Sequence, residues 1–468
     1  MKSLLLIVIA VSGCAGQTLP VFEADVGPPG RNILILVVDD LGTDKVGAYG
    51  EHPEAPSTPT LDALARRGVL FRNAYSHPHG TASRSALMTG RYARRVGIGD
   101  LALATTQAQL PVSEICLPEL LTRSPLSWDT AALGKWNLSG SGSEHFTDHP
   151  LVQGFRTHRG SVANIDASLL EDPTPRSYTY WEKSIDGRLD ISTVYATTDT
   201  TDDAIAEVTT MEPPWLAYVA YNAPHAPLHV PPESLKPEDV TEQSPDIEQY
   251  NAVVSALDQE IGRLFAAMGD ERLAETTVIF LSDNGTDGPY VLPPLNEGHA
   301  KTTSFEGGIN IPMIVAGPWV SHPGSESQAL VQDIDVFATV AEIAGVHTHG
   351  LLRQDGTPNP IDGQSLLPLL RDPSAAGRSY AYTERFRPNG APPYLGTREI
   401  VVGRTYKYFV ENVSEQAHLY ALESRVDDGP NLLVDPHGLD EEAAEALDEL
   451  SGFLQDIRSD VRYAGPGS

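Results

Sequence analysis

The sequence predicts an α/β fold, with a doubly wound, mainly parallel sheet flanked by helices and a smaller C-terminal α+β domain. Continuous apolar runs at residues 33–38 and 277–281 are typical of strands buried on both faces. Segments with apolar residues at helical spacing alternate with such runs. After about residue 375 the pattern changes to short alternating segments, which are typical of antiparallel strands.

Each element follows from its local pattern. The large domain is predicted to span residues 31–375, and the smaller one 376–468. Buried strands are predicted in RNILILVVDDLG, WDTAALGKWN, PPWLAYVAYNAPHAP and TTVIFLSDNG. Helices are predicted in PTLDALARRGVLF (followed by a short strand), SRSALMTGRYA, NAVVSALDQEIGRLFAAM and DIDVFATVAEIAGV, the last closed by Gly345. The smaller domain is predicted to contain strands in SYAYTER, REIVVGRTYKYFVEN and HLYALES, then a helix in EEAAEALDELSGFLQDIRSDV.

The N-terminal segment is predicted to be a targeting sequence. Residues 1–13 combine Lys2 with an apolar run too short to span a bilayer. The run ends in VSGC, which resembles a bacterial lipobox, so we expect lipidation at Cys14 and a tether over residues 14–30. This predicts an exported bacterial lipoprotein, in the periplasm or at the cell surface, attached to the membrane only through its lipid anchor. Cys116 is then the remaining cysteine, and we expect a buried structural thiol there.

The charge balance limits the class of partner. The chain has 32 Lys and Arg residues against 63 Asp and Glu residues, a net charge of −31. A surface this acidic repels nucleic acid and anionic lipid, so we expect neither as a partner. An anionic substrate requires a local positive pocket.

Two pairs of oxygen-bearing side chains follow predicted strands. Asp39 and Asp40 end the first strand, and Asp283 and Asn284 end a later one. In doubly wound sheets, ligands bind beyond the carboxyl ends of the strands. One such pair alone is more typical of a helix cap or a turn. Two pairs at matching strand ends predict a site for a hard cation, Ca²⁺ or Mg²⁺.

Several motifs, in order, resemble those of the sulfatases, a family within the alkaline phosphatase superfamily. The resemblance extends from Asn32 to about Leu433. It rests on ILVVDDLGTDKVGAYG, SRSALMTGRY, LGKWNLSG, HPLVQGF, YNAPHAPLHVP, FLSDNG, AKTTSFEGGINIP, DGQSLLPLL and HLYALESRVDDGPNLL.

The resemblance implies a sulfate-ester hydrolase that holds Ca²⁺ or Mg²⁺ and takes a sulfate ester or another anionic small molecule or glycan. Cations near the sulfate neutralise the charge that spreads over its oxygens. The implied roles divide into three groups: metal ligands at Asp39, Asp40, Asp283 and Asn284; support for the nucleophile by Arg84 and Lys135; and contact with the sulfate by His225 and Lys301.

The resemblance breaks at the position of the nucleophile. The family motif is C-x-P-S-R-x-x-L-x-T-G-R, and counting back from Arg84 places Gly80 at its cysteine. Formylglycine, which the family forms from that cysteine, is therefore impossible at position 80. Asn137 also replaces the family histidine that contacts the formylglycine hydroxyl. Residues that serve only the nucleophile are thus lost together.

Three mechanisms remain open from the sequence, although hydrolysis of sulfate esters is the activity that the family implies. In the first, the protein is a non-catalytic pseudo-sulfatase that binds sulfated or phosphorylated ligands. In the second, Thr81 is the nucleophile, as in a phosphodiesterase-type hydrolase. In the third, metal-bound water attacks the ester, with His225 as acid or base. Specificity is expected in loops at 140–195 and 286–298. Three aromatic side chains there suit either sugar stacking or packing: Tyr178, Tyr180 and Trp181.

Overall fold

The computed structural model describes residues 31–101, 108–170, 174–411, 416–422, 428–434 and 437–459. The predicted signal peptide, the lipidation site at Cys14 and the tether lie outside these ranges. Within them, no helix has both the length and the apolar character needed to cross a membrane.

The strands and helices predicted from the sequence are present among the described residues, and further elements lie between them, including a 13-residue helix at Ala196–Val208 and an 8-residue strand at Ser325–Gln332 that the sequence patterns do not predict. The strands are β1 Asn32–Asp39, β2 Gly68–Tyr75, β3 Asp129–Gly134, β4 Thr157–Gly160, β5 Trp181–Ile185, β6 Arg188–Ser192, β7 Trp215–Pro224, β8 Thr276–Ser282, β9 Met313–Ala316, β10 Ser325–Gln332, β11 Ala381–Arg387, β12 Leu395–Val402, β13 Tyr406–Glu411 and β14 Gln416–Ala421. The helices are α1 Pro59–Arg67, α2 Gly80–Thr89, α3 Ala93–Val96, α4 Leu117–Leu121, α5 His149–Val152, α6 Ala196–Val208, α7 Asp246–Ala274, α8 Glu306–Ile309, α9 Asp335–Ile343, α10 Leu367–Arg371 and α11 Glu441–Ser459.

The large sheet has ten strands in the order β10-β2-β9-β8-β1-β7-β3-β4-β5-β6. Its centre is parallel, since β8, β1, β7, β3 and β4 pair in parallel with one another. Strand β9 runs antiparallel to both β8 and β2, and β5 runs antiparallel to both β4 and β6. The carboxyl ends of β1 and β8 therefore meet at one edge of the sheet, which brings the two predicted metal-ligand pairs together.

Strand β1 is buried on both faces and divides the core into two halves. Ile33, Ile35 and Val37 pack into one apolar cluster with residues of α2, α4 and α9. The alternate residues, including Leu34 and Leu36, pack into a second cluster with residues of α1, α6 and α7. This two-sided burial is what a continuous apolar strand requires, and it confirms the predicted layer of helices on each face. Cys116 is fully buried, as predicted, and burial raises the pKa of its thiol well above the ordinary value.

The C-terminal region forms a second, antiparallel sheet in the order β11-β12-β13-β14, against which α11 packs. The fold class is therefore confirmed, while the predicted domain limits stay predictions. Lys407 of β13 is fully buried and pairs with Glu306 of α8 at 3.3 Å and with Asp428. Because α8 follows the loop that carries Lys301, this buried cluster ties the second sheet to the edge where the metal-ligand pairs meet.

Glu51, in the loop before α1, is expected to make stability depend on pH. Burial raises its pKa to about 7; the Thr43 hydroxyl opposes this shift and Asp44 adds to it. Since the carboxyl ionises more readily in the unfolded chain, stability is full below about pH 4.5 and falls as the pH rises toward 7. We expect Glu51→Gln to be about 1–2 kcal/mol more stable than wild type at pH 8, after allowance for partial solvent contact, and equal to it at pH 4.5.

Denaturant titrations of both proteins across this pH range measure the difference. Glu54→Gln, at an exposed position, is the control and should match wild type throughout. A Glu51→Gln advantage that does not change with pH would contradict the assignment.

Candidate metal and anion site

The predicted site residues converge at the carboxyl ends of β1 and β8. Asp39 ends β1 and Asp40 follows it, while Asp283 and Asn284 come directly after β8. All four are buried. The backbone N–H of Asp40 donates to the Asp283 carboxylate at 3.3 Å, so the two strand ends are directly joined.

Asp39 lies among cations. Lys135, which follows β3, donates to its carboxylate, and the Arg84 guanidinium of α2 lies 3.7 Å from the same oxygen. Burial acts to raise the pKa of Asp39, but Lys135, His225 and Arg84 outweigh it and hold that pKa well below its usual range. Asp39 is therefore ionised at every ordinary pH.

Three side chains lie against the Asp40 carboxylate. The Lys301 ammonium lies 2.5 Å from Oδ2, His225 Nε2 lies 3.8 Å from the same oxygen, and the Asn284 amide donates to Oδ1 at 2.7 Å. Burial acts to lower the pKa of Lys301, but Asp40 and Asp39 raise it overall. His225 Nδ1 lies 2.8 Å from the Ala226 carbonyl. A proton on Nδ1 makes that contact a hydrogen bond, and Nε2 then faces the Asp40 carboxylate.

Asp283 is held by Arg84. Its Oδ2 accepts from Arg84 Nε at 2.9 Å, and Nη2 lies at the same distance. Burial and the neighbouring Asp39 raise the pKa of Asp283 to about 6, against the opposing effect of Arg84. A bound divalent cation would favour its ionised form.

The charges in this site balance. Three carboxylates face three side-chain cations, with one cation in contact with each: Lys135 with Asp39, Lys301 with Asp40, and Arg84 with Asp283. The carboxylates are therefore neutralised without a metal, so mutual repulsion alone does not require one. A divalent ion added to this set gives a net charge of about +2, which suits an anionic ligand.

The residues fit a hard cation. Asn284 Oδ1 is buried with no hydrogen-bond partner among the described residues, and it stands beside carboxylate oxygens. Asp39, Asp40 and His225 also place one ligand atom each within 4.8 Å of one another. Carboxylate and amide oxygens favour Ca²⁺ or Mg²⁺. Asp39, Asp40, Asp283 and Asn284 would hold such an ion, which supplies positive charge to polarise and orient an anionic ester.

Gly80 is the first residue of α2 and faces this set. A Cβ placed on Gly80 would lie 2.3 Å from Asp283 Oδ2 and 3.5 Å from Asn284 Oδ1. Position 80 is thus at the centre of the site, as the motif register predicts. The Asp283 carboxylate lies where a side chain at position 80 would begin, so the corner is built around glycine.

Thr81 and Asn137 contact each other. The Asn137 amide donates to the Thr81 hydroxyl at 3.2 Å, and both side chains are buried. Asn137 has a positive φ of 53°, as do Asp40 (71°) and Thr302 (70°), which follows Lys301. Positive φ in non-glycine residues costs free energy and is concentrated at functional sites.

Thr81→Val is expected to lower the free energy of unfolding by about 1 kcal/mol. Valine keeps the shape of threonine but cannot accept the hydrogen bond from the Asn137 amide, which is buried. Thr81→Ser keeps the hydroxyl and serves as the control. Denaturant titrations measure both variants, and a Thr81→Val variant as stable as wild type would show that the contact contributes nothing.

The other histidines near the motifs have structural partners. His77 Nδ1 lies 3.2 Å from the Asp333 carboxylate, and both are fully buried. His229 stacks on Tyr178 with ring centroids 3.9 Å apart. The Tyr178 hydroxyl lies 2.7 Å from the His225 carbonyl, so it positions that loop. Tyr178 and Trp181 are both about 1% exposed, which makes them packing residues and not stacking surfaces for a sugar.

Tyr218 of β7 is a site residue that the motifs do not indicate. Arg84 Nη1 donates to its hydroxyl at 3.3 Å and to the Lys135 carbonyl at 3.2 Å. These bonds fix the guanidinium that holds Asp283. Tyr218 lies within an apolar strand, and nothing in the sequence distinguishes it from a core tyrosine.

The large, mostly parallel sheet carries three carboxylates, an amide and three cationic side chains at one edge, an arrangement that suits a divalent cation and an anionic ligand. The sulfatase family model matches residues 31–346, about two thirds of the chain. The chain therefore belongs to the sulfatase family.

Curated relatives support this assignment. An uncharacterized sulfatase of Escherichia coli is 29% identical over 390 residues, covering 73% of this chain and 66% of its own length. The N-acetylgalactosamine-6-sulfatase of Canis lupus familiaris is 29% identical over 396 residues, covering 78% and 69%. This chain thus spans about two thirds of the length of these relatives.

Solved structures share the fold. The structure of Ps i-CgsB in complex with k-i-k-neocarrahexaose has a TM-score of 0.74 at 24% identity, covering 92% of this chain and 93% of that one. The structure of BT4656 in complex with its substrate D-glucosamine-2-N,6-O-disulfate has a TM-score of 0.68 at 19% identity, covering 93% and 98%. At these identities the likeness concerns the fold alone.

Proposed function

We propose that this protein binds sulfate esters of carbohydrates at a Ca²⁺ or Mg²⁺ site and does not use the covalent route of its family. The observation that carries the proposal is the contrast between Gly80 and its surroundings. The carboxylates that would hold the cation are in direct contact with the basic side chains that would bind the anion. The position of the nucleophile has no side chain, and the Asp283 carboxylate takes up that space.

The anion-binding part follows from charge. Lys135 and Lys301 contact the two carboxylates of β1. With a cation held by these carboxylates, the Lys135 and Lys301 ammonium groups would be available to contact an anionic ligand. One relative is named an N-acetylgalactosamine-6-sulfatase, and one related structure contains a disulfated glucosamine as its substrate; both favour a sulfated carbohydrate.

Hydrolysis by direct attack of water is a second candidate, supported by His225. Its Nδ1 lies beside a backbone carbonyl, and its partly exposed Nε2 points toward Asp40 and can exchange a proton with a ligand or a water. As general base it would take a proton from a water that attacks sulfur, the S–O bond to the sugar breaks, and the proton passes to the departing sugar oxygen. Water and a sulfate ester then give alcohol and hydrogen sulfate, with no covalent intermediate.

Thr81 is a weaker nucleophile candidate. Its hydroxyl contacts Asn137, and a threonine becomes nucleophilic only beside a base. The structure of this corner therefore favours binding or direct hydrolysis over a Thr81 ester.

Calorimetry tests the binding proposal. Wild type is titrated with Ca²⁺ and Mg²⁺, then with glucosamine and galactosamine sulfates. We expect the Asp39→Ala/Asp40→Ala variant to lose cation affinity. Equal cation affinity in the variant and wild type would overturn the metal site, and no sugar-sulfate affinity in wild type would overturn the ligand class.

Turnover distinguishes the mechanisms. Protein free of other sulfatases is incubated with the same sugar sulfates, and released sulfate is measured. Release that persists in Thr81→Ala but is lost in His225→Gln supports direct attack by water, whereas loss in Thr81→Ala supports the threonine. The absence of release, together with measurable affinity, supports a binding protein.

A further inference from the structure

A second cationic cluster lies beside the site, at the N-terminus of α2. Asp100, in the loop after α3, contacts Arg387 and lies 3.5 Å from Arg385, both on β11. His79, the residue before Gly80, places Nε2 3.6 Å from the other Asp100 oxygen. The cluster thus joins the second sheet to the corner that carries position 80.

The cluster has more positive than negative charge. Two guanidinium groups share one carboxylate, while Arg398, opposite Arg385 in the strand pair, contacts Glu411 at 2.8 Å instead. Burial lowers the pKa of Arg385, Asp100 opposes this, and Arg387 and Arg398 lower it further. Burial and Arg385 likewise lower the pKa of His79 to about 4, so its ring is neutral. A second anion here would relieve repulsion between the arginines.

A cavity of about 1070 Å³ opens at this cluster. Asp100 and Arg387 lie on its wall, and Ile98, Pro388 and Leu395 supply apolar surface. Leu395 is 70% exposed, which is unusual for a large apolar side chain outside a binding surface. The volume is ample for a sugar unit, whose C–H face suits apolar side chains while arginines take its anionic substituents.

The loops around the cavity are fixed. The Asn389 side-chain oxygen Oδ1 accepts from the backbone N–H groups of Gly99 at 3.0 Å and Asp100 at 2.9 Å, and its side-chain Nδ2 donates to the Asp100 backbone carbonyl at 2.9 Å. Asn389 thereby ties the turn after β11 to the loop after α3. Arg387 and Asp100 are held in place before any ligand arrives, which reduces the entropy cost of binding.

The Asp100 cluster and the metal and anion site meet at the N-terminus of α2. His79 faces Asp100, and the next residue, Gly80, faces Asp283. The backbone N–H of Thr302, beside Lys301, donates to the Pro78 carbonyl at 3.2 Å. Residues 78–80 therefore contact both the Asp100 cluster and the metal and anion site.

We propose that Arg385 and Arg387 bind a second anionic group, a sulfate or a carboxylate, on the sugar whose first sulfate occupies the site near Lys135 and Lys301. This inference rests on the proposed function and narrows its ligand to carbohydrates with at least two anionic groups. Asp100 holds the arginines and limits their excess charge.

Calorimetry in the presence of Ca²⁺ tests the proposal with glucosamine and galactosamine monosulfates, each matched by disulfates that contain it. Wild type should bind at least one disulfate about tenfold more tightly than its monosulfate. Arg385→Gln and Arg387→Gln should remove that preference and keep the monosulfate affinity within about twofold. A sulfated disaccharide with a uronate carboxylate shows which anion is preferred, and tighter binding of either kind supports the subsite.

The Asp100→Asn variant distinguishes loss of the subsite from loss of the folded structure. Removing this carboxylate raises the local positive charge, so disulfate affinity should increase several-fold, a result that misfolding cannot produce. Arg188→Gln, at an exposed position, is the matched control. Equal affinity of wild type for monosulfates and all di-anionic sugars would overturn the second subsite alone, whereas no affinity for any sugar sulfate would overturn the proposed function as well.

Discussion

Asp283→Ala is expected to reduce divalent-cation affinity by about 100-fold and to lower the free energy of unfolding by about 3–5 kcal/mol. The first effect follows from the loss of a carboxylate in the proposed ligand set. The second follows from Arg84, whose guanidinium is fully buried and makes two contacts of 2.9 Å to Asp283. Removing one partner of a buried ion pair leaves the other charge without compensation.

A double variant separates the effect of Asp283→Ala on cation affinity from its effect on stability. Asp283→Ala/Arg84→Met removes both charges and fills the space with an apolar side chain, so much of the stability should return while cation affinity stays low. Denaturant titrations measure the first quantity and calorimetry with Ca²⁺ the second. Glu233→Ala, which removes an almost fully exposed carboxylate, is the control. If Asp283→Ala were as stable as wild type, the Arg84 pair would not be the structural support described here.

The convergence of the metal-ligand pairs could be predicted from the sequence because it depends on strand topology. Two apolar runs, each ended by acid or amide, become parallel neighbours, and Val38 of β1 pairs with Ser282 of β8. Asp39 and Asp283 then follow at the same edge. The motif register predicts that Gly80 stands at the nucleophile position, and in the structure a Cβ added there would meet Asp283. Local patterns and order along the chain determine both features.

Other features depend on contacts that no local pattern encodes. The pairing of each carboxylate with its own cation connects residues about a hundred or more positions apart, as Lys135 and Asp39 do. The Asp100 and Arg387 pair spans 287 positions. Tyr218 is indistinguishable from a core residue until its hydroxyl is seen beside Arg84. For Tyr178 the sequence leaves stacking on a ligand and packing both open, and its burial favours packing; that burial is set by tertiary contacts that the sequence does not display.

Gly80→Ala is expected to lower the free energy of unfolding by about 1–3 kcal/mol, the usual cost of forcing an extra methyl group into a filled site. Helix propensity predicts the opposite sign, since alanine is favoured over glycine in helices by up to about 1 kcal/mol. The steric effect wins because the new Cβ would lie 2.3 Å from Asp283 Oδ2. That oxygen can retreat only by loosening its two contacts with Arg84.

Gly452→Ala is the matched control. Gly452 lies within α11, and a Cβ there would meet nothing within 4 Å, so alanine should stabilise the protein by up to about 1 kcal/mol. In an Asp283→Ala background the obstacle at position 80 is gone, and Gly80→Ala should then cost nothing or stabilise. Denaturant titrations of the four proteins in this cycle measure the coupling. Additive effects would mean that the Asp283 carboxylate does not occupy the space beside position 80, and a larger nucleophilic side chain would then fit that corner without rearrangement.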